Sequence, residues 1–200
     1  MRTIEDYRAG CLVYLGDSAG RRYTAGMIDA GLREALDTLR LYVPGRETVC
    51  REITEMNGNE AVLFSCDPDH GILSVRDGAG KLLRCSVSLW NHRLYLTFYG
   101  PEVPGAGEKL ELELSVPWLI RGLDGASQTT VPESLCLTLM KGAAASAMKI
   151  RARSITEVFG KRPEDRAALM DQAMQLEREF RNELNIAARL RSGRMSPWGK

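Results

Sequence analysis

Apolar residues recur at helical spacing at both ends of the chain and at alternate positions in the middle. Ile4, Tyr7, Cys11 (or Leu12) and Leu15 predict a helix over 3–15 that ends at Gly16-Asp17. A polar turn, Asp17 to Gly20, separates it from a second helix with Thr24 as N-cap. The apolar stripe of that helix is Met27, Ile28, Leu32, Ala35, Leu36 and Leu39, and it stops before Pro44-Gly45. The two are expected to pack together as a helical hairpin.

Between 47 and 117 the period shortens to two, with Asn-Gly, Asp-Gly and Pro-Gly as punctuation. Strands are predicted at 47–56, 60–66, 72–76, 81–88, 93–99 and 109–116, with hairpin corners at Asp77-Gly78 and Asn91-His92. In KLELELSV, Leu110, Leu112, Leu114 and Val116 point one way while Glu111, Glu113 and Ser115 point the other. That is a strand with one wet face.

Helical spacing returns after a loop at 122–130 and predicts two long helices, 133–159 and 163–190, each about 40 Å long. Gly160 suits a left-handed C-cap and Pro163 a helix start, so the join FGKRP reads as a tight turn between antiparallel helices. The first carries Gly142, Ala143, Ala144, Ala145, Ser146 and Ala147, small enough for another helix to come close. The second shows Leu169, Ala173, Leu176, Phe180, Leu184 and Ala187 at steps of three and four, a core stripe. The class is therefore α+β: a helical bundle with an antiparallel β-domain inserted in it. The boundaries are 1–46 for the first helices, 47–117 for the β-domain, 118–132 for a linker, 133–190 for the long helical hairpin and 191–200 for an extended tail.

Charge changes this picture little. Twenty-seven Lys and Arg stand against 26 Asp and Glu, a net +1 that gives no reason to expect a free nucleic-acid binder. Five scattered cysteines never form C-x-x-C, so reduced thiols are expected. With no run of about twenty apolar residues and an acidic, polar start, the chain reads as soluble and not exported by a signal peptide.

Candidate chemistry is sparse. The loop GLDGASQTT lacks the Gly-Lys-Ser/Thr of a phosphate cradle, whereas Thr130 and Glu133 have the spacing of a capping box for the following helix. Cys66-Asp67-Pro68-Asp69-His70 holds metal-ligand atom types but has the composition of a turn, and no second ligand group has matching spacing. Neither a catalytic constellation nor a cofactor site is expected. Lys149, Arg151, Arg153, Lys161, Arg162 and Arg166 gather around the turn between the long helices, as subunit-interface charges or as charges facing DNA. Near the end, Arg191, Arg194, Met195, Pro197, Trp198 and Lys200 lose helical period. Trp198 is costly to leave in water, since its burial is worth about 5 kcal/mol.

Two stretches, LGDSAGRRYTAGMIDAGLREALDTLRLYVP and IRGLDGASQTTVPESLCLTLMKGAAASAM, resemble the head-to-tail adaptor (connector) proteins of tailed bacteriophages, related prophages and gene transfer agents. Together they cover about a third of the chain in the family's order. The resemblance implies a structural protein of the virion neck, assembled in the host cytoplasm. Its copies form a dodecameric ring under the portal protein, extend the channel that double-stranded DNA passes through, and meet the next neck or tail protein. It implies no enzymatic activity, and it makes Arg191, Arg194, Met195, Pro197, Trp198 and Lys200 the segment that docks on the portal. A stopper or tail-completion protein is the neighbouring alternative; a small metal-binding protein or enzyme using the Cys66–His70 turn is the more distant one.

Overall fold

The computed structural model describes residues 2–65, 71–90, 93–99, 103–156 and 163–191, and the fold is α+β. Its helices are α1 (Ile4–Tyr14), α2 (Ala25–Tyr42), α3 (Glu133–Thr156) and α4 (Pro163–Arg191); its strands are β1 (Gly45–Glu52), β2 (Glu55–Asn57), β3 (Glu60–Ser65), β4 (Gly71–Arg76), β5 (Cys85–Trp90), β6 (Arg93–Phe98) and β7 (Lys109–Val116). They fall into two compact units, a helical one made of Met1–Val43 and Trp118–Lys200 and a β unit made of Pro44–Pro117.

In the helical unit α3 is the central element. Gly142 through Met148 are all buried, so the middle of this helix is enclosed on every side instead of presenting one apolar stripe. Three glycines let its neighbours in. A Cβ at Gly10 of α1 would lie 2.3 Å from the Met140 sulfur, one at Gly31 of α2 would lie 2.3 Å from the Ala143 carbonyl oxygen, and one at Gly142 would lie 2.8 Å from the Phe180 ring of α4. The expected small-residue contact therefore exists, and it serves three helices. Contacts run Tyr7 to Cys136 and Cys11 to the Met140 carbonyl, which sets α1 parallel to α3. Thr138 with Glu183 and Lys149 with Glu177 set α4 antiparallel to it.

The predicted hairpin of the first two helices is not self-contained. α1 and α2 touch chiefly through Arg8, whose guanidinium donates to Asp29 at 2.9 and 2.6 Å, and both bury their stripes against α3. The turn between them is organised by Asp17. Burial works to raise its carboxyl pKa, but N–H donors of Arg22 (2.6 Å), Tyr23 (3.0 Å) and Arg21 (3.1 Å) outweigh that and hold it below the usual range. Thr24 caps α2 through the Met27 N–H, as the sequence suggests. The join at 157–162, with Gly160, lies outside the described residues.

In the β unit two antiparallel sheets, β1-β7-β4 and β2-β3-β6-β5, contribute to one core of Ile53, Ala61, Val75, Leu94, Leu96, Phe98, Leu110, Leu112 and Leu114. β7 buries its leucines as its alternation predicts. Its other face is half covered, because Glu113 accepts from Arg46 at 2.8 Å and from Ser74 at 3.0 Å. The single strand predicted over 47–56 is two strands in different sheets. The break comes at Ile53, whose N–H and C=O bond Glu108 and Gly107 while its side chain enters the core. The Asp77-Gly78 corner is real but short: after the Arg76–Leu82 bridge the chain leaves β4 and starts β5, which pairs with β6 in the other sheet. Asn91-His92 lies outside the described residues; its flanks, Trp90 and Arg93, pair directly.

Candidate interaction surface

The glycine- and threonine-rich loop ties down the start of the chain. Thr129 Oγ1 accepts from the Arg121 N–H at 2.9 Å and donates to the Arg2 carbonyl at 2.6 Å, and the Ile4 N–H donates to the Arg121 carbonyl at 3.0 Å. Asp124 sits in the left-handed region at φ 52°, held by three bonds from Arg33. The expected capping box is absent. Thr130 instead pairs with Leu119, its N–H donating to the Leu119 carbonyl and its Oγ1 accepting from the Leu119 N–H, while Glu133 reaches Arg2 at 2.5 Å. Thr130 lies three positions before Glu133, the first residue of α3, too early to be its N-cap, and its hydroxyl is taken by Leu119 instead.

The charges around the turn between the long helices do not act alike. Lys149 donates to Glu177 at 2.8 Å, and Arg181 donates to the same carboxylate at 2.8 Å; the Lys149 bond, against a burial cost, holds Glu177 below the usual carboxylate range. Lys149 thus braces α3 to α4 within the chain. The Arg151 guanidinium stacks 4.9 Å over the buried Tyr23 ring, which joins the end of α3 to the turn before α2. Arg153, in the last turn of α3, and Arg166, near the start of α4, are exposed. Lys161 and Arg162 lie outside the described residues.

At the other end of the unit, Arg191 closes α4 with its guanidinium 5.5 Å over the Trp118 ring, and Trp118 Nε1 donates to the Val43 carbonyl at 2.7 Å. One cation–π contact thus links the last turn of α4 to the residues where the chain leaves and re-enters the helical unit. Nothing in the sequence pattern singles out Trp118 for this role. Arg194, Met195, Pro197, Trp198 and Lys200 lie outside the described residues, so of the proposed docking segment only Arg191 has a described position.

Beside Arg191 runs an apolar flank that the sequence reading missed. Lys141 bonds both Glu179 and Glu183, placing those carboxylates on the flank of α4 that meets this side of α3. One turn toward the start of α3 lies Leu137, and steps of three and four along α4 from Glu183 reach Ile186 and Leu190. These three are 57, 53 and 60% exposed. The signal was present: Ile186 and Leu190 are out of phase with the Leu176, Phe180, Leu184 stripe that faces α3. The polar contacts along the flank are strong, since burial pushes the Glu183 carboxyl up but bonds from Lys141 and Thr138 bring it below its ordinary value.

Among the described residues of the helical unit the thiols are enclosed, Cys11 and Cys136 both being buried. Tyr7 Oη and Cys136 Sγ lie 3.1 Å apart inside the bundle, burial raises both groups, and burial pushes the Cys11 thiol up to about 12. Among the described residues no group of three His, Cys, Asp or Glu is placed to hold a metal, and no helix is long and apolar enough to cross a membrane. Cys66 to His70 lies outside the described residues. No protein-family model matches the chain, and no curated protein matches it.

Proposed function

We propose that this chain is a structural head-to-tail adaptor of a tailed bacteriophage, a subunit that works by being held between neighbours. Copies form a ring beneath the portal protein, extend the DNA channel and offer a platform to the next neck or tail protein. The observation that carries the reading is the apolar flank of Leu137, Ile186 and Leu190 next to Arg191, at the point where the tail leaves α4. A cluster of exposed aliphatic side chains on an otherwise salt-bridged helix pair is a contact surface in search of a partner. The tail that follows, with Met195 and Trp198, supplies the aromatic anchor and the basic charge for portal docking. Arg153 and Arg166, with Lys161 and Arg162, supply charges for pairing between neighbouring subunits.

Deleting residues 192–200 tests this directly. Portal binding, read by co-sedimentation, is expected to disappear while the melting temperature of the helical unit stays put, because the tail follows the last packed turn. Retained binding by the truncated chain rejects the docking assignment. A second reading, a stopper or tail-completion protein whose β unit makes the main contacts, draws on the exposed Leu82, Trp90 and Tyr99 of that unit. The position of the subunit in an electron-microscopic image of the neck separates the two.

A further inference from the structure

Among the described residues four strands form the sheet edges of the β unit, and three of them are blunted against further pairing. β2 has three residues; β1 carries Arg46, Glu47, Arg51 and Glu52; and β4 has a register shift between Ile72 and Ser74 and is partly covered by the bonds of Leu82 and Leu83. These are the usual protections of a sheet edge. β5 has none of them. Its sequence, CSVSLW, is six residues long, without charge, proline or bulge.

The backbone of β5 shows which groups face outward. The Tyr99 N–H donates to the Arg84 carbonyl at 2.8 Å, so 84 and 99 are a hydrogen-bonded pair, whereas the Phe98 N–H turns away to Asn59 in the direction of β3. In an antiparallel ladder bonded and non-bonded pairs alternate. Ser86, Ser88 and Trp90 therefore bond β6, and Cys85, Val87 and Leu89 aim their N–H and C=O groups at the open edge. Val87 also stands on the core side of the sheet, opposite buried Leu96, yet remains 43% exposed.

We infer that β5 is a pairing edge for β5 of a second copy of this chain. Outward groups must meet outward groups, so the fullest antiparallel match places a two-fold axis at Val87. Val87 then faces Val87, Cys85 faces Leu89, and Ser86 faces Ser88. The same register sets Arg84 of each copy opposite Trp90 of the other on the outer face. Both side chains are exposed, Trp90 to 69%, and a guanidinium on an indole is a favourable pair. The added strand covers the exposed part of Val87 and completes the ladder. This two-fold contact closes on itself and cannot build a cyclic ring, so it belongs to the free subunit and stands apart from the adaptor reading.

The test is a disulfide between copies. In the full chain with Cys50→Ser, Val87→Cys is expected to give a covalent dimer under mild oxidation at a rate at least about tenfold above Leu73→Cys, an exposed control on β4, because paired strands hold Cα atoms about 5.5 Å apart. Val87→Pro supplies a second measurement. Its lost N–H points away from β6, so the β unit keeps its circular dichroism, while sedimentation velocity is expected to show the dimer dissociation constant raised by about a hundredfold or more. Equal cross-linking at positions 73 and 87, or unchanged sedimentation of a folded Val87→Pro variant, overturns the inference.

Discussion

Gly31→Ala is the sharpest perturbation of the helical unit. The new methyl carbon would sit 2.3 Å from the Ala143 carbonyl oxygen and 3.3 Å from its Cα. Ordinary contact needs about 3.5 Å, so α2 and α3 must part by about 1 Å, and neither partner atom belongs to a side chain that can rotate away. Overpacking of this kind costs about 1–3 kcal/mol, whereas replacing glycine by alanine inside a helix returns at most about 1 kcal/mol. The expected balance is a loss of about 1–2 kcal/mol.

Gly10→Ala is the internal control. There the clash is with the Met140 sulfur and methyl, the far end of a flexible side chain, and the helix gains propensity, so the variant should match the parent or exceed it by up to about 1 kcal/mol. Gly142→Ala should fall between them, since the buried Phe180 ring can tilt but has little room. Thermal unfolding followed by the helical far-ultraviolet signal measures the series. A gap of about 2 kcal/mol between Gly31→Ala and Gly10→Ala is about 4–8 °C in melting temperature. Equal melting of these two variants, or the reverse order, refutes the argument that α2 approaches α3 backbone to backbone.

Acid should loosen the α3–α4 seam. Glu177 and Glu183 are lowered from 4.5 in the folded state, so their contribution is fully present above that value and is lost as pH falls through the lowered values; urea midpoints that stay flat from pH 6 to pH 3, about the span over which such carboxyls titrate, would contradict the assignment. Thr129→Val strands the Arg121 N–H and the Arg2 carbonyl, and a loss of about 1–3 kcal/mol is expected in the same urea titration. Replacing residues 44–117 by a short glycine-serine linker should leave the helical unit folded, because Trp118 Nε1 already bonds the Val43 carbonyl; loss of the helical signal would show that the two units depend on each other.

Much of the fold can be read from period alone. The stripes of α1 and α2, the cap at Thr24 and the alternation of β7 each follow from local residue choice, and local choice is what a pattern records. The position of α3 does not follow in the same way. Small residues around its whole circumference permit close approach without saying by how many helices, and the answer depends on glycines at positions 10 and 31 that belong to other elements. The split of 47–56 escaped because Ile53 continues an ordinary β pattern while its hydrogen bonds switch to Gly107 and Glu108, far along the chain. Thr130 has the spacing of a cap, yet a partner eleven residues upstream takes its hydroxyl. On the exposed apolar flank, the phase of Ile186 and Leu190 is legible beside the core stripe, but the Arg191–Trp118 stack joins residues with no sequence relation.

The most direct test of the account is a native mass measurement of the full chain mixed with its proposed partner, the portal protein. The account predicts a closed ring of copies bound to the portal ring and released when residues 192–200 are removed. A chain that stays at the mass of its free form beside an intact portal contradicts it.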